Sequence, residues 1–221
     1  IGFAAFAYWD VRKIRASQKK IQAYRANGQY DLEREEIGWL QDTWGTSIIE
    51  HAGAKINIVG RENIPEEPCV VVANHQGYAD IPILTQVMKH RQFGCVAKEE
   101  LSKVPVFNRL ITDVRSVYIK RNDARASLRA IETAIEHLEL GFSMAIFPEG
   151  TRSKLGNEML EFHGGSFRCA TKSKCTILPV ALIDSYRVLD EKGSKPVSMQ
   201  LHYLKPIPYE EYQAMKPAEL A

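Results

Sequence analysis

The segment Asn74-His75-Gln76-Gly77-Tyr78-Ala79-Asp80 sets a carboxylate five residues after a histidine, directly behind the apolar run 69–73. An imidazole takes up a proton near neutral pH, and a carboxylate that folds back can accept from the other ring N–H and fix the tautomer. That is the chemistry of a general base with its orienter, and Gly77 permits the tight reversal that brings the two together. The same residues also suit a purely structural turn, with Asp80 capping a helix that opens Ile81-Pro82 and His75 bonded locally.

A second constellation, Phe147-Pro148-Glu149-Gly150-Thr151-Arg152-Ser153, again follows an apolar run. An Arg on a Gly-containing turn presents a planar fork suited to phosphate oxygens, with Thr151 and backbone N–H groups as further donors. An anion there would repel Glu149, which is better used holding Arg152 or bonding a substrate hydroxyl. A surface turn closed by an acid and Arg pair is the structural alternative. A third group, Lys98 to Pro105 and Val117-Tyr118-Ile119-Lys120-Arg121, lies between the first two. Residues 91–129 hold nine basic against four acidic side chains, a local excess that a solvated basic face also explains.

Elements that place these groups can be read from the apolar periodicity. Residues 55–59 alternate, as a half-buried strand does, while 69–73 are continuously apolar, as in a strand covered on both faces. Further strands are expected at 93–97, 116–119, 143–147, 176–182 and 197–204, and helices at 80–89 and 124–138. Strand, helix, strand twice over means crossover connections. Pro179 places its strand at an edge, an end or a bulge. The fold class is therefore α/β, a mixed, partly parallel sheet flanked by helices and preceded by an N-terminal amphipathic helical hairpin. The hairpin is assigned to residues 1–53 and the α/β domain to 54–221. In its second arm Ile37, Leu40, Trp44 and Ile48 form the apolar stripe.

The chain has 221 residues, 45% hydrophobic and 25% charged, which is the balance of a folded domain with a small appendage. A formal net charge of +2 argues against a nucleic-acid binder dominated by overall positive charge. Cys69, Cys95, Cys169 and Cys175 show neither metal-ligand nor disulfide spacing, so no metal is expected and a reducing compartment fits. The chain begins Ile-Gly-Phe-Ala-Ala-Phe-Ala-Tyr-Trp, followed by Arg12, Lys13, Arg15, Lys19, Lys20 and Arg25 with no acid from 11 to 25. An aromatic interface with a basic flank points to a membrane surface, as the remainder of an anchor. The alternative is a soluble helix that packs Phe3, Ala7, Val11, Ile14 and Ile21 on the domain. A serine hydrolase, prompted by Gly164-Gly165-Ser166, fails because the nucleophile elbow requires glycine where Arg168 stands.

Taken together, the blocks resemble those of the 1-acylglycerol-3-phosphate (lysophosphatidic acid) acyltransferase family of glycerolipid acyltransferases. The catalytic block is Asn74-His75-x4-Asp80. The acceptor-binding blocks are Val117 to Arg121 and Phe147 to Ser153, and Leu178-Pro179-Val180 is the last, all in family order across about residues 55–207. The resemblance implies that His75 is the general base, oriented by Asp80. The glycerol sn-2 hydroxyl then attacks an acyl thioester directly, without an acyl-enzyme, and the product is phosphatidic acid. It further implies that Lys98, Arg121, Glu149, Gly150, Thr151 and Arg152 bind the acceptor. The donor would be acyl-CoA or acyl-carrier protein, with no cofactor, and the enzyme would sit on a membrane with its active site facing the cytoplasm. Backbone N–H groups near the strand ends would receive the thioester oxyanion. Asn108, Lys120 and His163 depart from the family pattern, and another lysophospholipid or glycerol-3-phosphate is the alternative acceptor. A non-catalytic phospholipid-binding protein is the rival from another class, and such a protein would need neither His75 nor Asp80.

Overall fold

The structure, a computed structural model, describes residues 2–88, 91–103, 105–120, 123–189 and 197–221, the side chains of 2–11, 87 and 105–107 excepted. Two long helices come first, α1 (Gly2–Ala26) and α2 (Tyr30–His51). They reverse at Asn27 and Gly28, where Gly28 takes a φ of +66° that a side chain would resist. After them run β1 (Lys55–Val59), β2 (Cys69–Ala73), α3 (Asp80–Val87), β3 (Phe93–Lys98), α4 (Pro105–Asp113), β4 (Val117–Ile119), α5 (Ala124–Glu139) and β5 (Ser143–Ile146). The chain continues with α6 (Arg168–Ser173), β6 (Thr176–Ile183), α7 (Tyr186–Leu189) and β7 (Ser198–Tyr203).

The described strands form one seven-stranded sheet in the order β1-β7-β6-β2-β5-β3-β4. All pairs are parallel except β6 with β7, so the sheet is mixed and mostly parallel, flanked by helices as its sequence pattern requires. Central β2 is buried at every residue, and its alternation sends Cys69, Val71 and Ala73 to one core. Val70 and Val72 enter the other, against α5 and α6. Each fully buried Val, Leu or Ile contributes about 1.5–3 kcal/mol. Pairing β2 with β5 through Val72 and Ile146 puts the carboxyl ends of these strands side by side.

Pro179 lies in an interior strand, paired with Val72 of β2, and at an end of the ladder with β7, one of the places expected for it. Its carbonyl accepts from the Leu204 N–H at 2.9 Å, and the reciprocal bond, which a proline cannot donate, is where that ladder stops. Two expectations shift. In α2 the buried set is Glu33, Ile37, Gly38, Leu40, Gln41, Gly45 and Ile49, so Gly45 and Ile49 take the places expected for Trp44 and Ile48. The rotation follows from Gly45, where α2 crosses against Pro82 and Gln86 of α3 too closely for any side chain. Finally, α4, α6 and α7 occupy stretches where no helix was expected.

The second half of α1 packs on the body. Ile21 is fully buried with Ile37, Leu40, Val114 and Phe142, and Ile14 lies against them. The side chains of Phe3, Ala7 and Val11 are outside the described residues. Among the described residues no helix is long and apolar enough to cross a membrane.

Candidate active site

The site begins where β2 leaves the sheet. The Asn74 side chain mimics one more residue of strand pairing: its amide donates to the Leu182 carbonyl at 2.9 Å and its oxygen accepts from the Leu182 N–H at 2.7 Å. With Asn74 so fixed, the chain turns and α3 starts at Asp80, whose carboxylate reaches back over the turn. Asp80 is fully buried. Its Oδ2 accepts from the ring Nδ1–H of His75 at 2.7 Å, from the Gln76 N–H at 2.7 Å and from the Gly77 N–H at 3.0 Å. A ring whose Nδ1 donates to a carboxylate presents Nε2 as the acceptor. The His75 ring stacks on Phe147 from the end of β5, centroids 4.2 Å apart and planes 25° apart, and its side chain keeps 23% exposure.

The turn after β5 is fastened to that histidine on both sides. Glu149 is buried, its Oε1 accepting from the His75 N–H at 2.7 Å and its Oε2 from the Leu160 N–H at 2.9 Å. The Ser153 N–H donates to the His75 carbonyl at 2.7 Å. Sequence reasoning gave Glu149 to Arg152 or to a substrate hydroxyl, and did not foresee these two backbone contacts. Gly150 sits at φ +65° with His163 Cδ2 3.4 Å from where a Cβ would stand, so the His163 departure lies against this turn. The Arg152 guanidinium lies 3.7 Å from the centroid of the Tyr78 ring, and Thr151 is exposed.

Lys98 ends β3 on the same carboxyl edge of the parallel strands and is exposed. Lys120 follows β4 and pairs with Glu99 at 4.0 Å, and the Asn108 side chain accepts from the Tyr118 hydroxyl at 3.0 Å. Arg121 lies outside the described residues. Thus His75, Asp80, Glu149, Gly150 and Arg152 are brought into one cluster, with Lys98 placed along the same edge. Burial pushes the Cys69 and Cys95 thiols up to about 12, as expected of thiols that act as small hydrophobes. Among the described residues no group of three or more His, Cys, Asp or Glu is placed to hold a metal ion.

Sequence reasoning missed several members of this cluster. Ser185, just past β6, places its hydroxyl 2.6 Å from Asp80 Oδ1. The Gln76 amide donates to Asn157 Oδ1 at 2.9 Å. Both contacts bridge more than 80 residues of sequence: the pairing of β2 with β6 brings Ser185 into reach, and that of β2 with β5 carries the loop that bears Asn157. A Ser two residues beyond an apolar strand was the available signal, and it is too common to be distinctive.

An Acyltransferase family model matches residues 55–183. The chloroplastic 1-acyl-sn-glycerol-3-phosphate acyltransferase LPAT1 of Arabidopsis thaliana is 34% identical over 137 residues, 61% of this chain and 38% of that protein. The 1-acyl-sn-glycerol-3-phosphate acyltransferase of Pseudomonas aeruginosa is 32% identical over 139 residues, 62% of this chain and 52% of that one. The chain thus spans about half or less of these curated relatives. Among solved structures, the 1-acyl-sn-glycerophosphate (LPA) acyltransferase PlsC from Thermotoga maritima superimposes with a TM-score of 0.72 at 25% identity, over 96% of this chain and 91% of that one. Because the family match runs over more than half of the residues and takes in both the His75 turn and the Arg152 turn, the chain belongs to the Acyltransferase family.

Proposed function

We propose that this protein transfers a fatty acyl group from an acyl thioester, acyl-CoA or acyl-carrier protein, to the sn-2 hydroxyl of 1-acylglycerol-3-phosphate, giving phosphatidic acid. The observation that carries the reading is the 2.7 Å contact of His75 Nδ1 with buried Asp80, on a turn stitched through Glu149 to the turn that bears Arg152. A base with its acceptor nitrogen presented and a phosphate-binding fork beside it are the two parts this reaction needs. The names of the similar proteins point the same way.

In the proposed mechanism His75 Nε2 accepts the proton of the sn-2 hydroxyl as its oxygen attacks the thioester carbonyl carbon. The tetrahedral intermediate collapses with loss of the thiolate, and the imidazolium returns its proton to that sulfur. No acyl-enzyme forms. Asp80 holds the ring in the productive tautomer and stabilises the imidazolium. Arg152, Gly150 and Thr151, with Arg121 and Lys98, bind the acceptor's phosphate and glycerol, while Glu149 ties their turn to the base. Fixing both reactants in this way contributes through proximity, and the base adds about 10²- to 10⁴-fold. The basic flank of α1 holds the enzyme on an anionic membrane surface, with the active site on the cytoplasmic side.

The test follows thiol release from acyl-CoA and from acyl-carrier protein in the presence of a panel of lysolipids. Acceptor-dependent release is expected, with His75→Ala lowering kcat by at least about 10²-fold. Without acceptor, no stoichiometric burst of thiol should occur. Undiminished turnover by His75→Ala, or a burst in the absence of acceptor, overturns the mechanism.

A further inference from the structure

A carboxylate that orients a histidine has two oxygens, and only one can face the ring. In this fold Oδ2 of Asp80 takes the His75, Gln76 and Gly77 N–H groups, which leaves Oδ1 on the far side in a fully buried place. A buried carboxylate oxygen without a donor is costly, and the group would then be held through one oxygen only. We infer that Ser185 is a positioning residue of the dyad: its hydroxyl donates to Asp80 Oδ1, locks the carboxylate and thereby holds His75 in the Nδ1–H tautomer. This inference rests on the reading of His75 as the general base.

The placement of Ser185 is itself constrained. The residue is fully buried, and its N–H donates to Gln76 Oε1 at 3.0 Å. Its hydroxyl lies 2.6 Å from Asp80 Oδ1 and 2.9 Å from Gln76 Oε1, and the shorter contact to the charged acceptor takes the proton. Gln76 is held in turn by Asn157 Oδ1 at 2.9 Å, and that same oxygen accepts from the Asp184 N–H at 2.8 Å. Asp184 adopts a φ of +63°, a left-handed conformation that Asp tolerates better than most residues, in the turn that carries Ser185. The end of β6, the His75 turn and the loop beyond Arg152 therefore close a ring of hydrogen bonds around the carboxylate. The hydrogen bonds of Ser185 run to Gln76 and Asp80, behind the face of the carboxylate that meets the His75 ring. Loss of Ser185 should act on the rate of the proton-transfer step and leave acceptor binding alone.

The experiment measures kcat, acceptor KM and the ring ¹⁵N shifts of His75, the latter assigned by their loss in His75→Ala. Ser185→Ala is expected to lower kcat by about 10- to 100-fold with acceptor KM within about twofold. Its His75 shifts should move from the Nδ1–H pattern toward a mixture of tautomers. Ser185→Thr, which keeps the hydroxyl, should hold kcat within about threefold. If Ser185→Ala does not fold, Ser185→Cys, a weaker donor of similar shape, is read in its place with smaller losses in the same direction. Wild-type kcat and an unchanged tautomer in the variant lacking the hydroxyl overturn the inference, as does a loss confined to KM. His75→Ala in the same assay separates the two readings: if it is inactive while Ser185→Ala behaves as wild type, only the role of Ser185 fails. If His75→Ala turns over normally, the base itself is wrong.

Discussion

At the scale of single residues, the fork proposed to take the phosphate gains its definition from an aromatic neighbour. Arg152 stacks at 3.7 Å on the Tyr78 ring, a residue 67% exposed. Stacking fixes the plane of a guanidinium, and its N–H donors lie in that plane, so the ring sets the direction of the fork. Such a contact at an exposed site contributes about 0.5–1 kcal/mol, equivalent to a two- to fivefold change in affinity. Tyr78→Phe keeps the face and should leave acceptor KM unchanged, whereas Tyr78→Ala should raise it by roughly two- to fivefold with little effect on kcat. Equal KM values for the two variants, measured by initial rates against lysophosphatidic acid, would show that the ring does not aim the fork. The contact comes from a tyrosine three residues after His75 and an arginine beyond another strand, and neither type nor spacing announces it.

Among the elements, the joint between α2 and α3 matters most, because α3 begins at Asp80 and its angle sets the depth of that carboxylate. A Cβ at Gly45 would stand 2.6 Å from the Pro82 carbonyl oxygen and 2.8 Å from the Gln86 nitrogen, closer than any real contact. Gly45→Ala must therefore push the helices apart. A cost of about 3 kcal/mol is expected, with a fall in Tm of roughly 6–12 °C by thermal unfolding. A fall of a degree or less would mean that α2 is free to move. This joint also marks the limit of what periodicity reveals. All seven strands could be placed within a residue or two, since 69–73 and 176–183 carry continuous or near-continuous apolar runs. The His75 turn and the Arg152 turn could be placed too, as both follow such runs. Periodicity could not choose Ile49 over Ile48, because a helix stripe tolerates one residue of rotation and a close crossing at glycine decides it. Nor did it find α4, whose clearest local mark is a proline at its first position. Contacts such as Ser185 with Asp80 depend on strand order, which no local pattern encodes.

For the molecule as a whole, the hairpin is fixed to the site and not merely tethered to it. Glu33 is fully buried and accepts from Arg25 at 2.8 Å and from Arg115 at 2.8 and 2.7 Å, joining α1, α2 and the turn before β4. Breaking such a buried pair costs about 3–5 kcal/mol. An exposed pair like Lys20 with Glu36 contributes less than about 1 kcal/mol. With α1 so clamped, its outer face keeps a fixed attitude to the active site, and Arg12, Arg15 and Lys19 are exposed on it at helical spacing. A basic side chain near an anionic bilayer contributes about 1 kcal/mol, so the three together are worth about 3 kcal/mol, or roughly 100-fold in partition. Removing residues 1–50 would be a poor test, since Ile37, Leu40 and Ile49 belong to the core. Arg12→Gln, Arg15→Gln and Lys19→Gln combined leave that core intact. Flotation with vesicles of phosphatidylglycerol and phosphatidylcholine should show binding reduced by roughly 100-fold at low salt, and by less as salt screens the wild type. Equal flotation of the triple variant and the wild type would mean that this basic face does not hold the enzyme on the membrane.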